Sequence, residues 1–158
     1  MAEPAPKISV QQQGKPPAEP IVIRRFERPD LAQHGGWLSA RLLTVYPHLT
    51  QQTLYGWLDS IIYNNEFMFL YQPHSVGLAQ LATGHTLAPK PVVHERFVFA
   101  EAPEYVDEAA NFYKDFHRWA KAMDAEVIVM SDMTDVPADK IKQQFGRVFE
   151  RQQVYAKV

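Results

Sequence analysis

Histidines are the first residues to weigh for chemistry, and the chain has six: His34, His48, His74, His85, His94 and His117. No two stand four residues apart, the spacing that places two imidazoles on one helix face, and no carboxylate joins them at ligand spacing. The expectation is therefore no metal site. With no cysteine there is no thiol nucleophile, no thiolate zinc site and no disulfide framework. Ser39, Ser60, Ser75 and Ser131 lack the Gly-x-Ser-x-Gly turn that presents a serine nucleophile. Carboxylates give the stronger signal. Glu101, Glu104, Asp107 and Glu108 gather at the start of the clearest helix in the chain. Each stabilises the positive end of the helix dipole by roughly 0.3–1 kcal/mol. Together they place negative charge where a helix start would otherwise receive a phosphate. Glu95 stands in the middle of an apolar strand, a position whose ordinary reading is a paired or solvent-facing carboxylate. Arg24, Arg25 and Arg28 flank Phe26, but the formal net charge is −2. A nucleic-acid footprint normally carries a basic excess, so these arginines read as a solvated face or a protein contact. Trp37, Trp57 and Trp119 fall on helices and read as core or interface anchors.

The elements that must position these residues come from a chain of 158 residues, 46% hydrophobic and 22% charged. That is one domain of ordinary size with enough apolar material for a core. No apolar run approaches the roughly 20 residues that span a bilayer, and the first residues do not resemble a signal peptide. Residues 1–20 read as a flexible arm rich in proline and glutamine. Pro4, Pro6, Pro16, Pro17 and Pro20 remove donors and fix φ, and Ile8 and Val10 are the apolar anchors such an arm offers a partner.

The domain is expected from residue 21 to 158. Ile21, Val22, Ile23 and Phe26 form a short β-rich run ended by Pro29-Asp30. Apolar residues from Leu31 to Val45 recur at partly helical spacing, interrupted by Gly35-Gly36, so a helix is placed after the glycines. Thr50 is a plausible N-cap for a helix whose buried face is Leu54, Trp57, Leu58, Ile61 and Ile62. Phe67–Tyr71 and Val76–Ala82 pair as a hairpin about Pro73-His74-Ser75. Strand alternation over Val92–Ala100 puts Val93, Glu95, Phe97 and Phe99 on one face. A long helix follows, Tyr105 to Met123, lined by Ala109, Ala110, Tyr113, Phe116 and Ala120. Glu126–Met130 reads as a buried strand. Asp135 is expected to cap a short helix ending near Phe145 and Gly146, and Phe149–Lys157 reads as one closing strand. Antiparallel strands followed by an αβ unit imply an α/β fold with a mixed, mostly antiparallel central sheet flanked by helices.

This order resembles the GCN5-related N-acetyltransferase (GNAT) superfamily over roughly residues 21–158. HERFVFAEAPEYVDEAANFYKDFHRWAKAMDAEVIVM resembles that family's fourth strand, third helix and fifth strand. KIKQQFGRVFERQQVYAKV resembles its last helix, a Phe-Gly junction and the closing strand. Among such proteins the chain looks most like small members encoded by tailed bacteriophages. The resemblance implies a place for acetyl-coenzyme A in a splay between the fourth and fifth strands. Its pyrophosphate would lie on backbone N–H groups at the third helix, over an Arg/Gln-x-x-Gly-x-Gly/Ala motif.

In this chain that motif falls on Glu104, Tyr105, Val106, Asp107, Glu108 and Ala109, and of these Ala109 alone fits. No glycine lies between Gly84 and Gly146. The family's proton-donating tyrosine on the last helix falls on Lys142. A fourth-strand carboxylate used as base in some members falls on Glu95, and Tyr155 is a possible proton donor on the last strand. The expectation is a degenerate GNAT-like domain without cofactor, binding a protein partner or larger assembly through the arm or the domain surface. It would work in a cytoplasm or, if phage-encoded, a virion, with no membrane and no nucleic acid involved. The alternative is an active acetyl-coenzyme A-dependent N-acyltransferase with an atypical cofactor grip, using Glu95 and Tyr155.

Overall fold

A computed structural model describes residues 23–83, 90–145, 148–150 and 154–157. The arm with Ile8 and Val10, the link around Gly84 and Pro89, and the stop at Gly146 lie outside the described residues. The first strand, β1, is Arg24–Arg25. Helix α1 spans Arg28–Val45 and runs straight through Gly35-Gly36, which corrects the expected later start. Asp30 supplies the reason. Its Oδ2 accepts the Glu27 N–H at 2.8 Å, one half of a capping box, and Arg24 holds its two oxygens at 2.6 and 2.7 Å. Pro29 has its φ pre-set for a first helical turn. An interior glycine costs about 1 kcal/mol relative to alanine. At Gly35 the missing side chain makes room for Tyr55, whose Oη would lie 2.5 Å from a Cβ there.

Helix α2, Gln51–Ile61, starts as expected at Thr50, whose Oγ1 accepts the Thr53 N–H at 3.1 Å. Leu54, Leu58 and Ile61 bury its apolar face, but Trp57 stays 38% exposed, against the expectation. The hairpin is β2, Phe67–Gln72, with β3, Ser75–Ala82, and β4 follows at Val92–Ala100. After a 3-10 turn over Pro103–Tyr105, the expected long helix is two pieces, α3 at Val106–Ala110 and α4 at Phe112–Ala122. Asn111 between them keeps helical φ and ψ of −65° and −23°, so the apolar stripe continues. Ala109, Ala110, Tyr113, Phe116 and Ala120 are all buried. Strand β5 is Val127–Met130 and helix α5 is Ala138–Gln144. The expected closing strand is instead two, β6 at Val148–Glu150 and β7 at Val154–Lys157, paired antiparallel.

The strands form one sheet in the order β1-β2-β3-β4-β5-β7-β6. Every neighbouring pair is antiparallel except β4 with β5. Helices α1 and α2 cover one face through Leu38, Leu42, Leu54 and Leu58, packed on Phe69, Val76, Leu78, Phe97 and Phe99. Helices α3 and α4 cover the other through Phe112, Tyr113 and Phe116, packed on Val93, Val98 and Ile128. The mixed, mostly antiparallel sheet flanked by helices is therefore the fold.

One irregularity positions the site. Along the β3–β4 ladder Leu78 pairs with Phe97 and Ala79 with Glu95, leaving Arg96 as an extra residue in β4. Such a bulge reverses which face the following side chains point to. Val93 and Glu95 consequently lie on the α4 side, while Phe97 and Phe99 lie on the α1–α2 side. This corrects the expectation that all four share one face.

Candidate functional site

Strands β4 and β5 run side by side for three residue pairs, ending at His94 with Val129. Beyond that point they part, and Glu95 lies at the fork. Its side chain is 2% exposed. One oxygen, Oε2, accepts the Ser131 N–H at 2.7 Å, and Oε1 accepts the Tyr113 hydroxyl at 3.1 Å. The Tyr113 hydroxyl also meets Thr134 Oγ1 at 2.8 Å, and Thr134 Oγ1 accepts the Val136 N–H at 3.1 Å. Burial penalises the carboxylate more than these donors relieve it, so the Glu95 pKa is pushed up to about 8. At neutral pH the group is mostly protonated; in that form Oε1 donates to the Tyr113 oxygen and the Tyr113 hydroxyl turns to Thr134 Oγ1. Burial likewise raises Tyr113, and the neighbouring Glu95 adds to the effect.

The segment after β5 then fills the fork. Ser131 Oγ donates to the Arg96 carbonyl at 3.2 Å. The Val98 N–H donates to Met133 O at 3.1 Å, and the Asp135 N–H donates to Val98 O at 2.9 Å. Contrary to the expectation from the sequence, Asp135 does not cap α5; Pro137 holds that position without a side-chain cap. Both Asp135 carboxylate oxygens instead pair with Arg41 of α1, one of them at 2.9 Å, and Oδ2 also accepts the Ala100 N–H at 2.9 Å. The Arg41 guanidinium lies 4.6 Å over the Phe99 ring. Backbone groups of β4 that face the fork are thus bonded within the chain.

At the start of α3 the acidic residues are also engaged. Glu108 Oε2 accepts the Ser75 hydroxyl at 2.6 Å and the His74 N–H at 3.1 Å. Glu101 meets His74 Nδ1 at 2.9 Å, and the His74 ring stacks on Tyr105 at 3.9 Å. Asp107 pairs with Lys140 of α5, and Glu104 is exposed. Between these groups and the fork is an open cleft of about 250 Å³, lined by Arg41, Glu101, Ala102, Pro103, Val106 and Asp135. Its lining carries one cation against two carboxylates, and the cation is already paired with Asp135.

Of the residues singled out in the sequence, Glu95 is in the fork and Glu104 to Ala109 surround the helix start. Lys142 is exposed on α5. Tyr155 is placed by its backbone in β7, opposite Val129; its suggested role as proton donor lies outside the described side chains. The arginines serve the chain itself. Arg24 holds Asp30 and lies 3.8 Å over Tyr71, Arg28 pairs with Asp59 at 3.0 Å, and Arg25 donates to Phe67 O at 3.0 Å. Trp37 Nε1 donates to His34 Nδ1 at 3.0 Å inside the α1 layer. Among the described residues no group of three or more histidines and carboxylates is placed to hold a metal ion. No described helix is long and apolar enough to cross a membrane. Sequence reasoning gave Tyr113 as a core residue, Ser131 as an unsupported nucleophile and Asp135 as a helix cap, and it missed Thr134, Arg41 and the contacts that join them. Their sole trace in the sequence is a lone glutamate inside an apolar strand.

No family model matches this chain, and no curated protein sequence does. A crystal structure described as a "putative acetyltransferase" from Staphylococcus aureus Mu50 is similar, with a TM-score of 0.54 at 17% identity. The similarity covers 85% of this chain and 96% of that one. At that identity the likeness speaks to the fold alone, and the fold is GNAT-like.

Proposed function

We propose that this chain is a GNAT-like domain that has given up acetyl-coenzyme A binding and serves as a protein-binding or assembly component. The observation that carries the reading is the filled fork. Glu95 and the segment from Ser131 to Asp135 occupy the opening in which the family resemblance places the cofactor. Entry of a pantetheine arm requires breaking the Val98–Met133 and Asp135–Val98 backbone bonds, each worth roughly 0.5–1.5 kcal/mol net. It also brings a pyrophosphate against Glu101, Asp107 and Glu108. The partner would be met through residues 1–20 or through exposed aromatic side chains such as Trp57 and Tyr63, the latter 70% exposed. A role inside a larger assembly, as in a phage virion, suits such a domain.

Calorimetry and thermal shift with millimolar acetyl-coenzyme A test the reading. The expected result is no heat beyond dilution and no change in Tm. A ligand present at 100 times its Kd would stabilise the fold by about 2.7 kcal/mol, a visible shift. A saturable shift would overturn the proposal and restore the acyltransferase reading, with Glu95 as the base.

A further inference from the structure

The fork has a further property, independent of whether any cofactor enters it. Glu95 joins three parts of the chain at one point: β4, which carries it; Ser131, just beyond β5; and Tyr113 of α4. The segment it holds is otherwise tied to β4 through Met133 and Asp135 to Val98, through Asp135 to Ala100 and through Ser131 to Arg96, and to α1 through the Arg41–Asp135 pair. An isolated bridge between Val98 and Thr134 is the extent of ladder pairing there. We propose that Glu95 is a proton-operated latch: its protonated carboxyl keeps the β4–β5 fork shut over Ser131–Asp135, and loss of the proton promotes release of that segment.

The physical basis is the cost of a buried charge. When closed, the carboxyl is walled by the apolar α4 layer and meets water hardly at all. The groups facing it do little to hold a negative charge. Tyr113 comes from α4 and Ser131 from the segment after β5, and these offer neutral hydroxyls and one N–H, with Thr134 behind the Tyr113 hydroxyl. Asp132 adds a repelling carboxylate, and Asp135 acts the same way on Tyr113. On β4 itself, Arg96 turns away to Gln80 Oε1 at 2.6 Å, and His94 precedes Glu95 at the last β4–β5 pair. Opening the fork exposes the carboxyl to water and returns it to the ordinary glutamate range. By linkage, opening becomes about tenfold more favourable per pH unit from near 4.5, the ordinary value, up to about 8, and levels off above that.

The sign follows from the proton count. The open form releases the proton at lower pH than the closed form, so rising pH drives opening.

Amide hydrogen exchange on the full chain from pH 5 to 9, corrected for the intrinsic pH dependence of exchange, tests this. The Ser131, Val98 and Asp135 amides should lose protection by about tenfold per pH unit up to about pH 8 and then plateau. They should exchange at least about tenfold faster than Leu70 and Ala79, whose amides lie on the β2–β3 ladder, the mark of local rather than global opening. Glu95→Gln, which cannot ionise, should give a flat profile. Fork amides as protected as the hairpin at every pH would overturn the latch. So would a flat wild-type profile, or a slope that persists in Glu95→Gln. If that variant does not fold, the 13C carbonyl shift of Glu95 in the wild-type chain decides. A titration well above the glutamate range supports the latch, and one near pH 4.5 overturns it.

Discussion

Gly77 of β3 lies directly against the ring of Phe112 at the start of α4. A Cβ at position 77 would sit 2.9 Å from Phe112 Cγ and 3.0 Å from Phe116 Cζ. Both phenylalanines are fully buried, so neither ring can swing into solvent. The absence of a side chain at this one strand position sets how closely α4 approaches the sheet. Gly77→Ala is expected to cost roughly 1–3 kcal/mol through overpacking. A lower denaturant midpoint with an unchanged slope would check it, and an unchanged midpoint would contradict the packing.

Glu95 makes stability depend on pH in a known direction. Its folded pKa, about 8, is raised above the ordinary 4.5. The stability linked to its protonated form is fully present below about pH 4.5 and is lost as pH rises through about 8. The loss from this group runs at about 1.4 kcal/mol per pH unit within that window. Glu95→Gln retains an acceptor for the Ser131 N–H and removes the slope. Urea titrations at pH 5 and pH 8 should show the variant gaining on the wild-type chain at the higher pH. Equal differences at both values would show that Glu95 ionises normally.

Asp135 is the second tie between the fork and the rest of the domain. It accepts from Ala100 N–H and from Arg41 at the same time. Asp135→Ala leaves both donors without this partner and should cost roughly 1–3 kcal/mol. Asp135→Asn keeps an acceptor for Ala100 and should cost less. Comparing the two midpoints, with Arg41→Ala to complete a double-mutant cycle, separates the backbone bond from the ion pair. Identical losses in Asn and Ala would assign the effect to the charge alone.

Deleting residues 1–20 should leave the melting temperature nearly unchanged, because this stretch offers little beyond Ile8 and Val10 to bury. Its association with a partner or with itself, read by sedimentation, should weaken. A deletion that unfolds the domain would show that the arm packs into the fold. Intact association would move the interface to the domain surface.

Periodicity by itself determined much of the architecture. The 3.6-residue repeat from Ala109 to Ala120 and the hairpin about Pro73-His74 need only local sequence, because each buries an apolar stripe in one way. Thr50 announced its helix through the chemistry of a hydroxyl cap. The carboxylates after Ala100 were legible as negative charge at a helix start, where Asp107 and Glu108 do lie in the first turn. Where local signals competed, the sequence misled. Gly35-Gly36 reads as a break, yet the Asp30 cap and the contact with Tyr55 carry the helix through it. Strand alternation put Glu95 on the face of Phe97, and only the Arg96 bulge, a consequence of pairing with β3, turned it toward Tyr113. Asp135 reads as a helix cap because its partner Arg41 stands 94 residues earlier in the chain. The fork, its buried carboxyl and the segment that fills it are long-range facts. They depend on which strands pair and where pairing stops, and no local pattern of residue types encodes that.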